Sequence, residues 1–340
     1  MTHTPEDDTR LERKVQLTGG STYTVSLPKK WAKQQGIEPG VMVDLHPRDG
    51  RLVVTQNRAS DNLRQVTIQT AEHDEETLAR AVGAAYVGGA DEIVLEVADD
   101  TGDRRTATQA IRRFVGLEVM DEDEGALTAR TMLDSPDLPP RRAVTQMRRT
   151  AVKMHSEAVA AVVAADGDQA RRVGPEDDTV DRLFALVSRA FQRSLVDPAT
   201  PVRRDSHSLF EHYTAARQLE RVADHAEKMA TIADQLASPP PVTLANAIES
   251  HGTASRAVVE DSLAGLLDGS SEGDLVGVIE DADSLLAEID ELDEQLYESE
   301  RTTASYRLGG ALNSILRTVK CGVNIAEAGL RADYRADSRN

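Results

Sequence analysis

A chain of 340 residues has room for two or three domains. With 58 acidic against 39 basic residues and a net charge of −19, it is not a generally basic, nucleic-acid-coating protein. The single cysteine, Cys321, excludes an intrachain disulfide framework. The longest aliphatic stretch, Ala158–Ala165, falls far short of the ~20 residues that span a bilayer. The start, Met1 to Asp8, is polar and acidic, unlike a secretory signal, so the expectation is a soluble cytoplasmic protein without membrane insertion.

Only seven of the cations are lysines, and aromatic residues make up 3%. High acid, low lysine and low aromatic content together resemble proteins of salt-loving archaea, whose hydrated carboxylates face a solvent that screens charge within a few Å. The acidity then reports the solvent rather than a cationic ligand. Against it stands one reversal. Between Arg10 and Lys33 lie Arg10, Arg13, Lys14, Lys29, Lys30 and Lys33 against Glu12, a local charge of +5. Gathered on one surface, such side chains contact phosphates and release counterions.

The basic island has a structural frame. Val15, Leu17, Tyr23, Val25 and Leu27 recur with a two-residue period, which predicts strands on either side of a Gly19-Gly20 turn. Pro28 suits the first position of a short helix over Lys29–Gln35, and Gly36 its C-terminal cap. After the Pro39-Gly40 turn, Val41, Val43 and Leu45 alternate again, and Pro47 to Gly50 leads into Leu52-Val53-Val54. A unit of about 45 residues with no metal or disulfide set cannot close a core alone, so dimerisation is expected.

Arg13-Lys-Val-Gln-Leu-Thr-Gly-Gly-Ser-Thr-Tyr-Thr-Val-Ser-Leu-Pro-Lys-Lys-Trp31, followed by Gly36-Ile-Glu-Pro-Gly40, resembles the AbrB-type (SpoVT/AbrB, MazE-like) swapped-hairpin domain. The resemblance implies two chains interleaved into one barrel that binds double-stranded DNA with a basic face. By position it puts forward Arg13, Lys14, Lys29, Lys30 and Lys33 as contacts, with Ser21 and Thr22 as hydrogen-bonding ones; Arg10 of the same basic island joins them as a candidate DNA contact. Trp31 has two readings, stacking on a base or locking the short helix into the core.

From Gln65 to Leu133 the element types alternate. Strands are predicted at Val66–Ile68 and Glu92–Val97, helices at Glu75–Val87 and Thr106–Val115, and a hairpin from Leu117–Val119 to Ala126–Thr128. No G-x-G-x-x-G and no phosphate-loop motif accompanies them. This small α/β domain is expected to connect its neighbours.

Ser135-Pro-Asp-Leu-Pro-Pro140 reads as a linker and hinge. Beyond it six helices are predicted, over about 142–165, 177–195, 203–237, 241–268, 274–299 and 303–331. Pro239 to Pro241 divide them three and three, the pattern of an internal repeat. The expected fold class is multidomain α+β: an AbrB-like swapped-hairpin barrel half at 9–57, a small α/β domain at 62–134, the linker at 135–140, and an all-α six-helix bundle of repeats at 141–237 and 241–332.

Leu219-Glu-Arg-Val-Ala-Asp-His-Ala-Glu227 resembles the PhoU family, six-helix proteins of two three-helix repeats. Glu220 and Asp224 match its Glu/Asp-x-x-x-Asp spacing, which puts both carboxylates on one helix face. The resemblance implies a divalent or iron-type metal there, and Asp178 and Asp181 in Asp177 to Phe184 extend the set. The second repeat departs from the pattern. Arg317 and Asn324-Ile-Ala-Glu327 are kept, but Leu316 and Lys320 stand where paired carboxylates would be. In the first repeat Lys228 replaces an Asn and is placed for an i,i+4 pair with Asp224.

No H-E-x-x-H or G-x-S-x-G is present. His207 and His225, 18 residues apart on one helix, lie roughly 27 Å from each other. Cys321 sits among small and aliphatic residues as a packed thiol. The chain is therefore expected not to be an enzyme. The two resemblances together look like archaeal phosphate-uptake regulators: a homodimer on promoter DNA, with a bundle that receives a signal or partner. The alternative is an adaptor whose bundle binds the phosphate transporter's ATPase or a sensor protein, the AbrB-like part being only a dimer clasp. A MazE-like antitoxin is disfavoured by the large helical part.

Overall fold

The computed structural model describes residues 11–48, 51–56, 63–97, 101–123, 125–132, 140–196, 209–269, 272–299 and 302–337. The chain divides into two compact units, Met1–Asn62 and Leu63–Asn340. Arg10, His207, most of the predicted 135–140 linker and the start of the predicted 203–237 helix lie outside the described residues.

In the first unit, β1 (Gln16–Thr18) pairs antiparallel with β2 (Thr22–Thr24), with Leu17 opposite Tyr23. Gly19 and Gly20 both take positive φ, which makes the tight return possible. Pro28 is the extended residue before helix α1 (Lys29–Gln34) rather than its first turn. The helix ends at Gly36, where Ile37 N–H donates to Ala32 C=O and Gly36 N–H to Lys33 C=O, a Schellman closure that needs φ of 69° at Gly36. Hairpin β3 (Val43–Arg48) to β4 (Arg51–Gln56) follows. The two hairpins form separate two-stranded sheets, and no described residue of this unit is buried.

The second unit opens with a four-stranded sheet in the order β5-β6-β8-β7, built from β5 (Gln65–Gln69), β6 (Glu92–Glu96), β7 (Leu117–Asp123) and β8 (Ala126–Thr131). β5 and β6 run parallel, joined by α2 (Glu75–Val87); the other pairs are antiparallel. Asp74 caps α2 by accepting from Thr77 N–H at 2.8 Å. Leu78, Val82 and Tyr86 of α2 bury against Ile93, Leu95 and Leu127 of the sheet. Helix α3 (Thr101–Arg112) starts five residues before the expected point, because its polar first turn carries no apolar period to read, and Gly116 at φ 69° follows its end.

Six long helices complete the unit: α4 (Pro140–Ala164), α6 (Gly174–Val196), α7 (Leu209–Gln235), α8 (Val242–Ala264), α9 (Glu272–Ser299) and α10 (Thr303–Asp337), with one-turn α5 at Gly167–Ala170. Met147, Ala151, Met154, Ala158 and Val162 of α4 form an i, i+3/i+4 stripe against Ala-rich α7 (Leu219, Ala223, Ala226, Ala230). Small residues bring helices close. A methyl added at Gly252 of α8 would lie 2.9 Å from Val159, and one at Gly322 of α10 only 2.6 Å from Val258. The third helices of the two repeats, α7 and α10, pack on each other. Among the described residues no helix is long and apolar enough to cross a membrane.

The α/β layer is docked on α6. Arg189, 4% exposed, donates from Nη1 to Tyr86 C=O at 2.6 Å and lies over the Tyr86 ring. Arg193 donates to Asp91 at 2.9 Å, and Asp91 also accepts from Arg64 N–H.

Candidate functional site

Two regions gather charge against the acidic background. The first is the basic island. Arg13, Lys14, Lys29, Lys30 and Lys33, with Ser21 and Thr22, are all exposed. Lys29, Lys30 and Lys33 are carried by α1; Ser21 follows the glycine turn, and Thr22 opens β2. Arg13 donates to Glu12 C=O at 2.8 Å, and among the described residues Lys14, Lys29 and Lys33 form no ion pair. The apolar residues that should make a core face outward in the single chain. Leu17 is 62% exposed, Tyr23 76% and Trp31 36%. A lone two-stranded hairpin is marginal in water, so these side chains need a second surface.

The second region lies in the bundle. The four carboxylates expected on α6 and α7 do come together across that helix pair, and Asp177 and Glu227 join them. Burial first, then Asp181, Glu227, Asp224 and Asp178, push the Asp177 carboxyl up to about 7. Asp181 is raised by burial and by Asp224, Asp178 and Glu227. Glu220 is raised by burial, Asp224 and Asp181, while Arg217 and Arg221 pull it back. The Oδ1 of Asp177 is buried without a hydrogen-bond partner. These are hard oxygen donors suited to a hard cation. Their arrangement does not fit one. Among the described residues no group of three His, Cys, Asp or Glu side chains is placed to hold a metal ion. No step is therefore derived through a metal.

Beside the carboxylates the sign of the charge reverses. A cavity of about 620 Å³ between α7 and α10 is lined by Arg221, His225 and Lys228 from α7 and by Arg317, Lys320 and Cys321 from α10, with Asp224 its one acid. The expected Asp224–Lys228 ion pair does not form; Lys228 lines the cavity instead. Burial, then Lys228, Arg317 and Arg221, hold the His225 imidazole down to about 4, so it is neutral near pH 7. Burial pushes the Cys321 thiol up to about 12, which keeps it protonated and a poor nucleophile. Asn324 ties the two walls together, donating to Gln218 at 3.2 Å.

This groove was only partly legible in the sequence. Lys320 stands out there at a carboxylate position and Lys228 in place of an Asn, with Arg317 kept from the family pattern, but Arg221 and His225 belong to the set only once α7 faces α10.

Residues 144–233 match the PhoU domain family model, and residues 16–61 match the model described as "Antidote-toxin recognition MazE, bacterial antitoxin". No curated protein matches the chain. Among solved structures, the crystal structure of PhoU from Pseudomonas aeruginosa is similar at a TM-score of 0.50 and 20% identity, over 58% of this chain and 96% of that one. The helical part has the PhoU fold. The family match runs through α4 to α7, the first PhoU-like repeat, and includes the acidic cluster. The MazE match covers both hairpins and α1. Both families are regulators or adaptors, not enzymes.

Proposed function

We propose that this protein is a DNA-binding transcriptional regulator of phosphate homeostasis. It works as a cytoplasmic homodimer: two copies of the N-terminal unit interleave their hairpins and hold promoter DNA, while the PhoU-like bundle receives a signal or partner. One observation carries the reading. A unit with no buried described residue concentrates five exposed cations, in a chain whose net charge is −19. Missing burial calls for a second chain, and clustered charge calls for a polyanion. A dimer clasp alone has no use for the charge.

The PhoU-domain match supports phosphate homeostasis as the regulated process, and the MazE match supports DNA binding and dimerisation. Signal and DNA affinity would be linked by a coupling free energy of about 1–3 kcal/mol. At molar salt phosphate contacts weaken steeply, so base edges and DNA shape must carry more of the selectivity.

The test is genome-wide mapping of the DNA bound by the tagged chain in its own cells, with phosphate abundant and exhausted. Discrete peaks at phosphate-transport promoters, changing in height with phosphate supply, are expected. An absence of peaks, with co-purification of a transporter ATPase or sensor protein, would replace this reading by the adaptor one.

A further inference from the structure

The groove between α7 and α10 has a chemistry unlike the rest of the bundle. Only three of the seven lysines lie outside the basic island: Lys153, Lys228 and Lys320. Lys153 is spoken for by Glu176 and Glu157. The other two line this one cavity, together with Arg221 and Arg317. All four side chains are solvent-accessible, and among the described residues none of them forms an ion pair. A chain with a large excess of acids has thus placed four cations around one concavity with a single carboxylate, Asp224. Asp224 in the lining and Glu220 beside Arg221 offset only part of their mutual repulsion.

The cavity does not end there: His225 lines both it and an adjoining one of about 490 Å³. The adjoining cavity shares Lys228 and adds Thr231 and Asn313. Together they make an elongated groove. From Arg221 to Thr231 along α7 is roughly 15 Å at the α-helical rise. Two guanidinium forks suit bidentate oxyanion recognition, and two ammonium groups supply point charges. A single orthophosphate would neither fill a cavity in the size range of small-molecule sites nor neutralise four cations.

We propose that this groove binds a small, elongated polyanion with two or more phosphoryl groups, a condensed phosphate or a compact phosphate ester. The inference stands on the bundle alone and does not require that the chain bind DNA.

The experiment is isothermal titration calorimetry on the full chain, with tripolyphosphate as probe and orthophosphate and citrate as comparators, at low and at molar KCl. At low salt tripolyphosphate is expected to bind with one saturable event per chain, at least tenfold tighter than either comparator, and to weaken as KCl rises. The Lys228→Gln/Arg317→Gln/Lys320→Gln variant should lose at least 30-fold in affinity. The Lys14→Gln/Lys29→Gln/Lys33→Gln variant, altered in the basic island, and Arg172→Gln, an exposed cation outside the groove, should bind as the wild type does. Should the groove triple variant unfold by circular dichroism, Lys320→Gln alone is measured, with a loss of about fivefold expected. Unchanged affinity in the groove variants, loss in the island variant, citrate binding as tight as tripolyphosphate, or no saturable binding would each overturn the proposal. Failure of DNA binding would leave it standing.

Discussion

His155 shows how one buried side chain sets a pH limit on this fold. It is fully buried on α4, its Nδ1 lies 3.3 Å from Arg256 Nη1, and its Nε2 has no partner. Burial, with Arg256 and His225 nearby, holds the imidazole down to about 3. An unfolded chain takes up this proton near pH 6.5, whereas the folded one refuses it until about pH 3. The contribution is complete above pH 6.5 and is lost as pH falls toward 3. At pH 5 the loss amounts to about 2 kcal/mol. Urea unfolding at pH 7 and pH 5 should show His155→Gln losing less stability between the two than wild type, by about that amount. Ala165 offers a second residue-scale case. Helix α4 closes at Ala165, the predicted end, which takes φ of 50°, with Ala165 N–H on Val162 C=O and Asp166 N–H on Ala161 C=O. A left-handed alanine is strained. Ala165→Gly is expected to stabilise the protein by about 0.5–1 kcal/mol in a urea titration.

At the scale of elements, docking of the α/β layer on the bundle rests on α6. Arg189→Leu removes the donor to Tyr86 C=O and a cation 3.8 Å from Asp91. Tyr86 C=O still accepts from Gly89 N–H at 3.1 Å, so the cost is that of one lost charge-assisted hydrogen bond, about 1.5–3 kcal/mol. Hydrogen exchange should speed up in β5, β6 and α2 while α8 to α10 keep their protection; uniform destabilisation would show that Arg189 is no local anchor. The elements themselves were readable in the chain, because alternation at Leu17 and Tyr23 and the i, i+3/i+4 stripe of α4 are local signals. Partnerships between elements were not. Arg189 looks in the sequence like any solvated helix charge, and nothing local tells that Tyr86, 103 residues away, receives it. The same holds for the site. The carboxylate pair Glu220/Asp224 has a spacing that can be read, whereas Asp177 joins it only through the α6–α7 contact. The basic groove needs α7 and α10 side by side, with Arg221 and Lys320 almost a hundred positions apart in the chain.

For the whole molecule, two chemistries are kept apart. The second unit has two buried cores, one in the bundle and one in the α/β layer; the first has none among its described residues in a single chain and exposes Leu17, Tyr23, Val25 and Leu45. Assembly and DNA recognition are therefore one event in this account, since pairing two copies buries those residues and doubles the local positive charge. The most direct measurement is the affinity of the full-length chain for duplex promoter DNA at moderate KCl. It compares wild type with the Arg13→Glu/Lys14→Glu/Lys29→Glu/Lys30→Glu variant, the dimer being verified for both by analytical ultracentrifugation. The variant is expected to stay folded and paired and to lose at least a hundredfold in affinity, with a flatter salt dependence. A paired variant that binds the same DNA as tightly as wild type would contradict the proposed role of these cations.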